Sequence, residues 1–91
     1  MKQKVIRQTL QGSFTAFTFD VKVRTFFVKN FTEGDIYFSF ANDNEEAGAF
    51  KIASGMGEEV FINGSYSTAA HYTKTLYVKG TGEVEVEALD F

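Results

Sequence analysis

The sequence predicts an all-β fold: an antiparallel β-sandwich of about seven or eight short strands, in a single domain over residues 1–91, with a jelly-roll-like arrangement within that class. Three observations point there. Phe17, Phe19, Val21 and Val23 alternate with Thr18, Asp20 and Lys22, the period of two that marks a strand with one wet face. Thr75 to Glu87 repeats that alternation on both sides of Gly80-Thr81-Gly82. Phenylalanine supplies 11 of the 91 residues and tyrosine 4 more. Each buried ring removes on the order of 150–250 Å² from water, so a chain of this length has the apolar material for one core.

Taken in order, Lys4 to Leu10 is expected to form the first strand and Gln11-Gly12-Ser13 the first turn. Phe14 is out of step with the alternation that follows, which predicts a bulge near Thr15-Ala16. The phase changes again between Val23 and Phe26 with no glycine present, which predicts a bend carrying the chain from one sheet towards the other. Phe26 to Phe40 is expected to be a hairpin closed by Thr32-Glu33-Gly34. Val28 then faces Phe38, Phe26 faces Phe40, Asn30 faces Ile36, and Gly34 takes a positive φ. Its other face would gather Phe27, Lys29 and Phe31 beside Tyr37 and Ser39, more aromatic than solvent requires.

The polar stretch Asn42 to Gly48 leads into a short strand from Ala49 to Ala53, a turn at Ser54-Gly-Met-Gly57 and a strand from Glu58 to Ile62. Asn63 to Lys74 is a long irregular segment carrying Tyr66, His71 and Tyr72, with Ser67 to Ala70 as a candidate helical turn. In the last hairpin, a three-residue loop with Gly82 left-handed pairs Val78 with Val84 and Leu76 with Val86. On its other face Lys79 meets Glu83, Tyr77 meets Glu85 and Thr75 meets Glu87.

Composition excludes several kinds of chemistry. With no cysteine there is no disulfide scaffold, thiolate nucleophile or cysteine zinc site. A net charge of -3 and a pI near 5.0 argue against nucleic acid as a partner. No apolar run approaches the roughly 18 residues of a membrane span, and Met1 to Leu10 lacks the apolar core of a signal peptide, so no membrane partner is expected. His71 is the only imidazole, and no strand-turn-helix elbow frames a nearby serine.

Asn42, Asp43, Asn44, Glu45 and Glu46 offer oxygen donors of the kind calcium prefers, but Gly48 falls in the wrong place for a helix-flanked calcium loop, and a solvated loop is the plainer reading. Glu83, Glu85 and Glu87 line one open strand face instead of flanking a cleft, which suits protection against edge pairing better than glycoside cleavage. Asn30-Phe-Thr32 and Asn63-Gly-Ser65 match the glycosylation tripeptide without a secretory signal to go with it. Neither catalytic residues nor a cofactor or metal site is therefore expected.

Three segments carry a family likeness: Phe27-Val-Lys-Asn-Phe-Thr-Glu-Gly-Asp-Ile-Tyr-Phe-Ser-Phe40, Ile52-Ala-Ser-Gly-Met-Gly-Glu-Glu59 and Leu76-Tyr-Val-Lys-Gly-Thr-Gly-Glu-Val-Glu-Val86. Through them the chain resembles small virion-associated proteins of tailed bacteriophages and prophages, over Phe27 to Val86 and not before. The resemblance implies a non-enzymatic structural or accessory component of a head, tail or fibre, found in the virion or in the host bacterial cytoplasm before assembly. Its implied partners are other virion proteins or further copies of itself. The candidate contact surface is Phe27, Phe31, Tyr37, Tyr66, His71 and Tyr72. Two alternatives stand beside it: a small carbohydrate-binding module using Tyr37, Tyr66 and Tyr72 with Asn63 and His71, weakened by the absence of tryptophan, and a host-directed protein that adds an edge strand to its partner.

Overall fold

Alternation along the chain produces extended segments with one apolar face, and a computed structural model shows how those faces are covered; it describes residues 4–40, 50–61 and 73–90. Among the described residues eight strands run in chain order as β1 (Val5–Gln11), β2 (Thr15–Val23), β3 (Thr25–Asn30), β4 (Ile36–Ser39), β5 (Phe50–Ile52), β6 (Gly57–Phe61), β7 (Thr73–Lys79) and β8 (Thr81–Asp90). They form two four-stranded antiparallel sheets, ordered β1-β8-β3-β6 and β2-β7-β4-β5. That is the strand order of a jelly roll. No helix long and apolar enough to cross a membrane occurs among the described residues.

The registers place the turn at Gly12, residues 31–35, residues 53–56 and Gly80 at one end of the sandwich, and each of these connections crosses from one sheet to the other. We call this the arch end. Inward residues from both sheets fill the space between them, with Leu10, Phe17, Phe26, Val28, Leu76, Val78, Val84 and Val86 essentially inaccessible to solvent. Phe19, Phe26, Phe40, Phe38 and Phe50 form a string of rings across the sandwich, with successive centroids 5.8, 6.3, 6.2 and 5.3 Å apart. Those spacings fall in the range where aromatic pairs attract.

Both expected hairpins prove to be arches. β7 pairs with β2 and β4 while β8 pairs with β1 and β3, so Leu76 and Val78 approach Val84 and Val86 from opposite sheets and not as neighbours in one. The inward set is correct and the pairing is not, because alternation states which face is buried and not what lies against it. Gly82 does take a positive φ, 122°, where a Cβ would also come within 3.0 Å of Thr32. Gly80 turns the chain between sheets with no room for a side chain, since a Cβ would stand 2.7 Å from Ile36. The glutamates accordingly find other partners: Glu85 lies between Arg7 and Lys29, not opposite Tyr77.

The Phe26 to Phe40 segment behaves the same way. Phe26 does meet Phe40, at 6.3 Å, but across the core. Gly34 has no positive φ, because the wider arch needs no left-handed residue there. The expected bulge at Thr15-Ala16 is also absent: β2 pairs regularly with β7 from Thr15 to Thr18, and the irregularity falls between Thr18 and Val23. Phe14 is out of phase because it still belongs to the turn. The bend at Arg24 is where expected, carrying the chain from β2 in one sheet to β3 in the other.

Asn30 locks the arch end. Its side chain is buried, and Nδ2 donates to the carbonyls of Gly34 (2.9 Å) and Ile52 (3.0 Å) while Oδ1 accepts from the Thr32 amide (2.8 Å). The Thr32 hydroxyl, with one proton to give, lies 2.7 Å from Asn30 Oδ1 and 2.8 Å from the Gly34 carbonyl. Two carbonyls on one side and an amide on the other fix which way the Asn30 amide points. Its backbone is held too: the amide donates to the Met56 carbonyl at 2.9 Å, and the carbonyl accepts from Gly55 at 3.0 Å. One residue thereby ties the β3–β4 arch to the β5–β6 arch, and Ser54 Oγ adds a bond to the Thr32 carbonyl at 2.7 Å.

Asn30→Ala should lower stability by about 3 kcal/mol, the upper part of the range for stranding buried polar groups. For a domain of this size that is a fall of more than about 10 °C in melting temperature, read by calorimetry. Asn30→Asp should be no milder at neutral pH, since a carboxylate would face two carbonyls, and should recover in part on acidification, because a protonated carboxyl donates to one of them. A folded-state pKa raised in this way gives stability that is present at low pH and lost as pH rises.

Candidate functional site

Where the β3–β4 and β7–β8 arches approach each other they enclose an open cleft of about 660 Å³. Gly12, Gly34, Gly80 and Gly82 are among the residues that line it. Side chains come from both sheets: Phe31 and Thr32 at the end of β3, Glu33 and Asp35 in the arch, Tyr37 on β4, Lys79 at the end of β7, and Thr81 and Glu83 on β8. Tyr37 stands between Lys79 and Lys51 in the sheet register, and Lys51 reaches Asp35 at 3.7 Å. The Phe31 amide donates to the Glu83 carbonyl at 3.1 Å, which fastens the cleft's two sides to each other.

Around the corner, on the outer face of the β1-β8-β3-β6 sheet, a smaller hollow of about 250 Å³ is lined by Phe27, Phe31, Met56 and Gly57. Phe31 and Met56 are both 56% exposed. Phe27 is half-buried because its ring lies over Gly57, so close that a Cβ there would sit 2.9 Å from the ring edge. The Lys29 ammonium is 5.6 Å from the same ring's centroid, within cation–π range.

The structure divides the surface expected to hold Phe27, Lys29, Phe31, Tyr37 and Ser39. β3 and β4 belong to different sheets, so Phe27 and Lys29 face outward on one side of the sandwich and Tyr37 on the other, while Ser39 is buried. Phe31 rejoins them, since it lines both the hollow and the cleft. Tyr66, His71, Tyr72, Asn63 and the 42–48 stretch lie outside the described residues. Met56 was not singled out from the sequence, although a methionine flanked by two turn glycines has nowhere to be buried. The Asn30-Phe-Thr32 tripeptide cannot be a glycosylation site in the folded chain, because both Nδ2 protons are donated inside the arch. Among the described residues no three histidine or acidic side chains stand close enough to hold a metal ion.

Beside the cleft runs a cross-strand charge array. Glu85 accepts from Arg7 Nη2 at 2.7 Å and approaches Lys29 Nζ at 3.4 Å, while Arg7 Nε is 3.3 Å from Glu83. With its side chain only 13% exposed, Glu85 is the centre of the array. The hydrogen bond from Arg7 is the largest influence on Glu85 and, with Lys29, holds its pKa below the ordinary carboxylate value against the opposing effect of burial. The same contacts raise Arg7.

A folded-state pKa below the unfolded one gives stability that is complete above about pH 4.3 and is lost as pH falls through the lower, folded value. Glu85→Gln should therefore melt below the parent at neutral pH, with the gap closing as pH falls below about 4.3. Thermal melts at stepped pH check this; a gap that widens on acidification would contradict it.

No family model matches the chain, and neither the curated proteins nor the solved structures compared with it include a match.

Proposed function

We propose that the chain is a non-enzymatic structural or accessory component of a tailed-phage or prophage particle, acting through protein contacts at the Phe31 corner. The observation that carries this reading is the exposed apolar pair Phe31 and Met56 beside Phe27, on a face that also carries the charged groups Arg7, Lys29, Glu83 and Glu85. Exposed aromatic and methionine side chains grouped at one place are what protein interfaces are enriched in. The jelly-roll strand order supports it by analogy of fold, since capsid domains use that architecture, as do lectins. The resemblance of the Phe27 to Val86 segments to virion-associated proteins supports it from the sequence side. A particle component occurs in many copies, so contacts with other particle proteins or with further copies of itself both suit the corner.

The test is a Phe31→Ser/Met56→Ser double variant introduced into an inducible prophage that encodes the chain. The parent should be found by mass spectrometry in density-purified particles. The variant should melt within about 0.5 kcal/mol of the parent in stability, as exposed substitutions do, yet be depleted from particles. Absence of the parent chain from particles, or equal incorporation of the variant, would contradict the reading. Light scattering at micromolar concentration separates the two kinds of contact, because a strict monomer leaves docking on another component and removes self-assembly.

A further inference from the structure

Gly34 is not explained by the fold. Its φ lies outside the left-handed region, and a Cβ added there meets nothing within 4 Å. Its backbone is nevertheless rigidly placed, with the amide 3.2 Å from Thr32 Oγ1 and the carbonyl accepting from Asn30 at 2.9 Å. The contrast is with Gly80 and Gly82, where Ile36 and Thr32 leave no space. A glycine that neither conformation nor packing requires, held firmly in the wall of a cleft, suits close approach of something from outside.

The cleft's chemistry narrows what that is. Its volume of about 660 Å³ lies within the usual span for small-ligand sites, about 300–1,000 Å³. Lys51 and Arg7 neutralise Asp35 and Glu83, and Lys79 offsets Glu33, so the lining carries no net charge to draw an ionic ligand. Carboxylates at the rim disfavour a wholly apolar ligand, which would desolvate them without giving a hydrogen bond in return. A neutral sugar ring meets both conditions. Its C–H face can lie on the half-buried ring of Tyr37. Its hydroxyls donate to the carboxylates in charge-assisted bonds and accept from Lys79 and Thr81.

We propose that the arch-end cleft is a binding site for a neutral saccharide, with Tyr37 as the stacking platform, Glu33, Asp35 and Glu83 as hydroxyl acceptors, and Gly34 keeping the wall clear. This goes beyond docking at the Phe31 corner and does not depend on it. Phe31 touches both places, so Tyr37 and Gly34 are the residues to change.

The experiment screens the full chain against an array of neutral hexose and N-acetylhexosamine oligosaccharides with sialylated and sulfated glycans alongside, then titrates the best neutral oligosaccharide by calorimetry. Expected are saturable binding to neutral glycans and about tenfold or greater weakening in Tyr37→Ala. Gly34→Ala should also bind more weakly while its melting temperature is unchanged or raised, as for an alanine placed where its backbone is allowed. Met56→Ser should bind as the parent does. The proposal is overturned by the absence of saturable binding across the neutral glycans, by a preference for anionic ones, or by binding that both Tyr37→Ala and Gly34→Ala leave intact. A Gly34→Ala variant that melts well below the parent would also overturn it, since the glycine would then serve the fold.

Discussion

The arch end depends on a single buried amide. Jelly-roll topology brings four sheet-crossing connections to one end, and at each of them the chain leaves one sheet's ladder of backbone hydrogen bonds before joining the next. Backbone groups exposed by that crossing are buried against neighbouring arches and need partners there. Asn30 supplies them for two arches at once, using both protons of Nδ2, Oδ1 and its own backbone amide and carbonyl. Few side chains other than asparagine could do this, because the site presents carbonyls on one side and donors on the other at the reach of one short amide. With that lock in place, Phe31 is turned outward at the corner and the 32–35 arch stands fixed as one side of the cleft.

The rest of the sandwich supplies the rigidity on which the lock is set. A core of phenylalanine and branched aliphatic side chains fills the gap between sheets, and the rings of Phe19, Phe26, Phe40 and Phe38 follow one another through it. The outer faces differ in character. On the β1-β8-β3-β6 sheet, charges of opposite sign alternate across strands around Glu85, whereas the other sheet presents Tyr37 between Lys51 and Lys79. Surface ion pairs of this type contribute modestly to stability, but they keep that part of the outer sheet face wetted.

Much of the fold could be read from residue patterns, and the part that could not shares one cause. Strand positions, inward faces and the sheet-to-sheet bend at Arg24 follow from local alternation and its interruptions. Strand partners do not. Val78 and Val84 are buried whether they neighbour each other within a sheet or approach each other across the core, so a glycine-containing connection between two alternating segments suits a hairpin and an arch equally. What separates the two is packing of the connection itself, and contacts such as Gly80 against Ile36 or Thr32 against Gly82 join residues more than 40 apart in sequence. The same ambiguity joins on paper an aromatic surface that the structure divides: Phe27 and Tyr37 are neighbours only if β3 and β4 form one hairpin. Asn30 was legible as a position and illegible as a lock, since its partners Ile52, Gly55 and Met56 are distant in the chain.

Amide hydrogen exchange tests the central claim most directly, because it reads the lock itself. The side-chain amide protons of Asn30 and the backbone amides of Thr32 and Gly55 should exchange as slowly as those of the central strand β8, although all three residues lie at or beyond strand ends. Exchange of these protons at the rate of exposed turns, with β8 still protected, would show that the arches are not held by Asn30 and would remove the basis for a preformed cleft and corner.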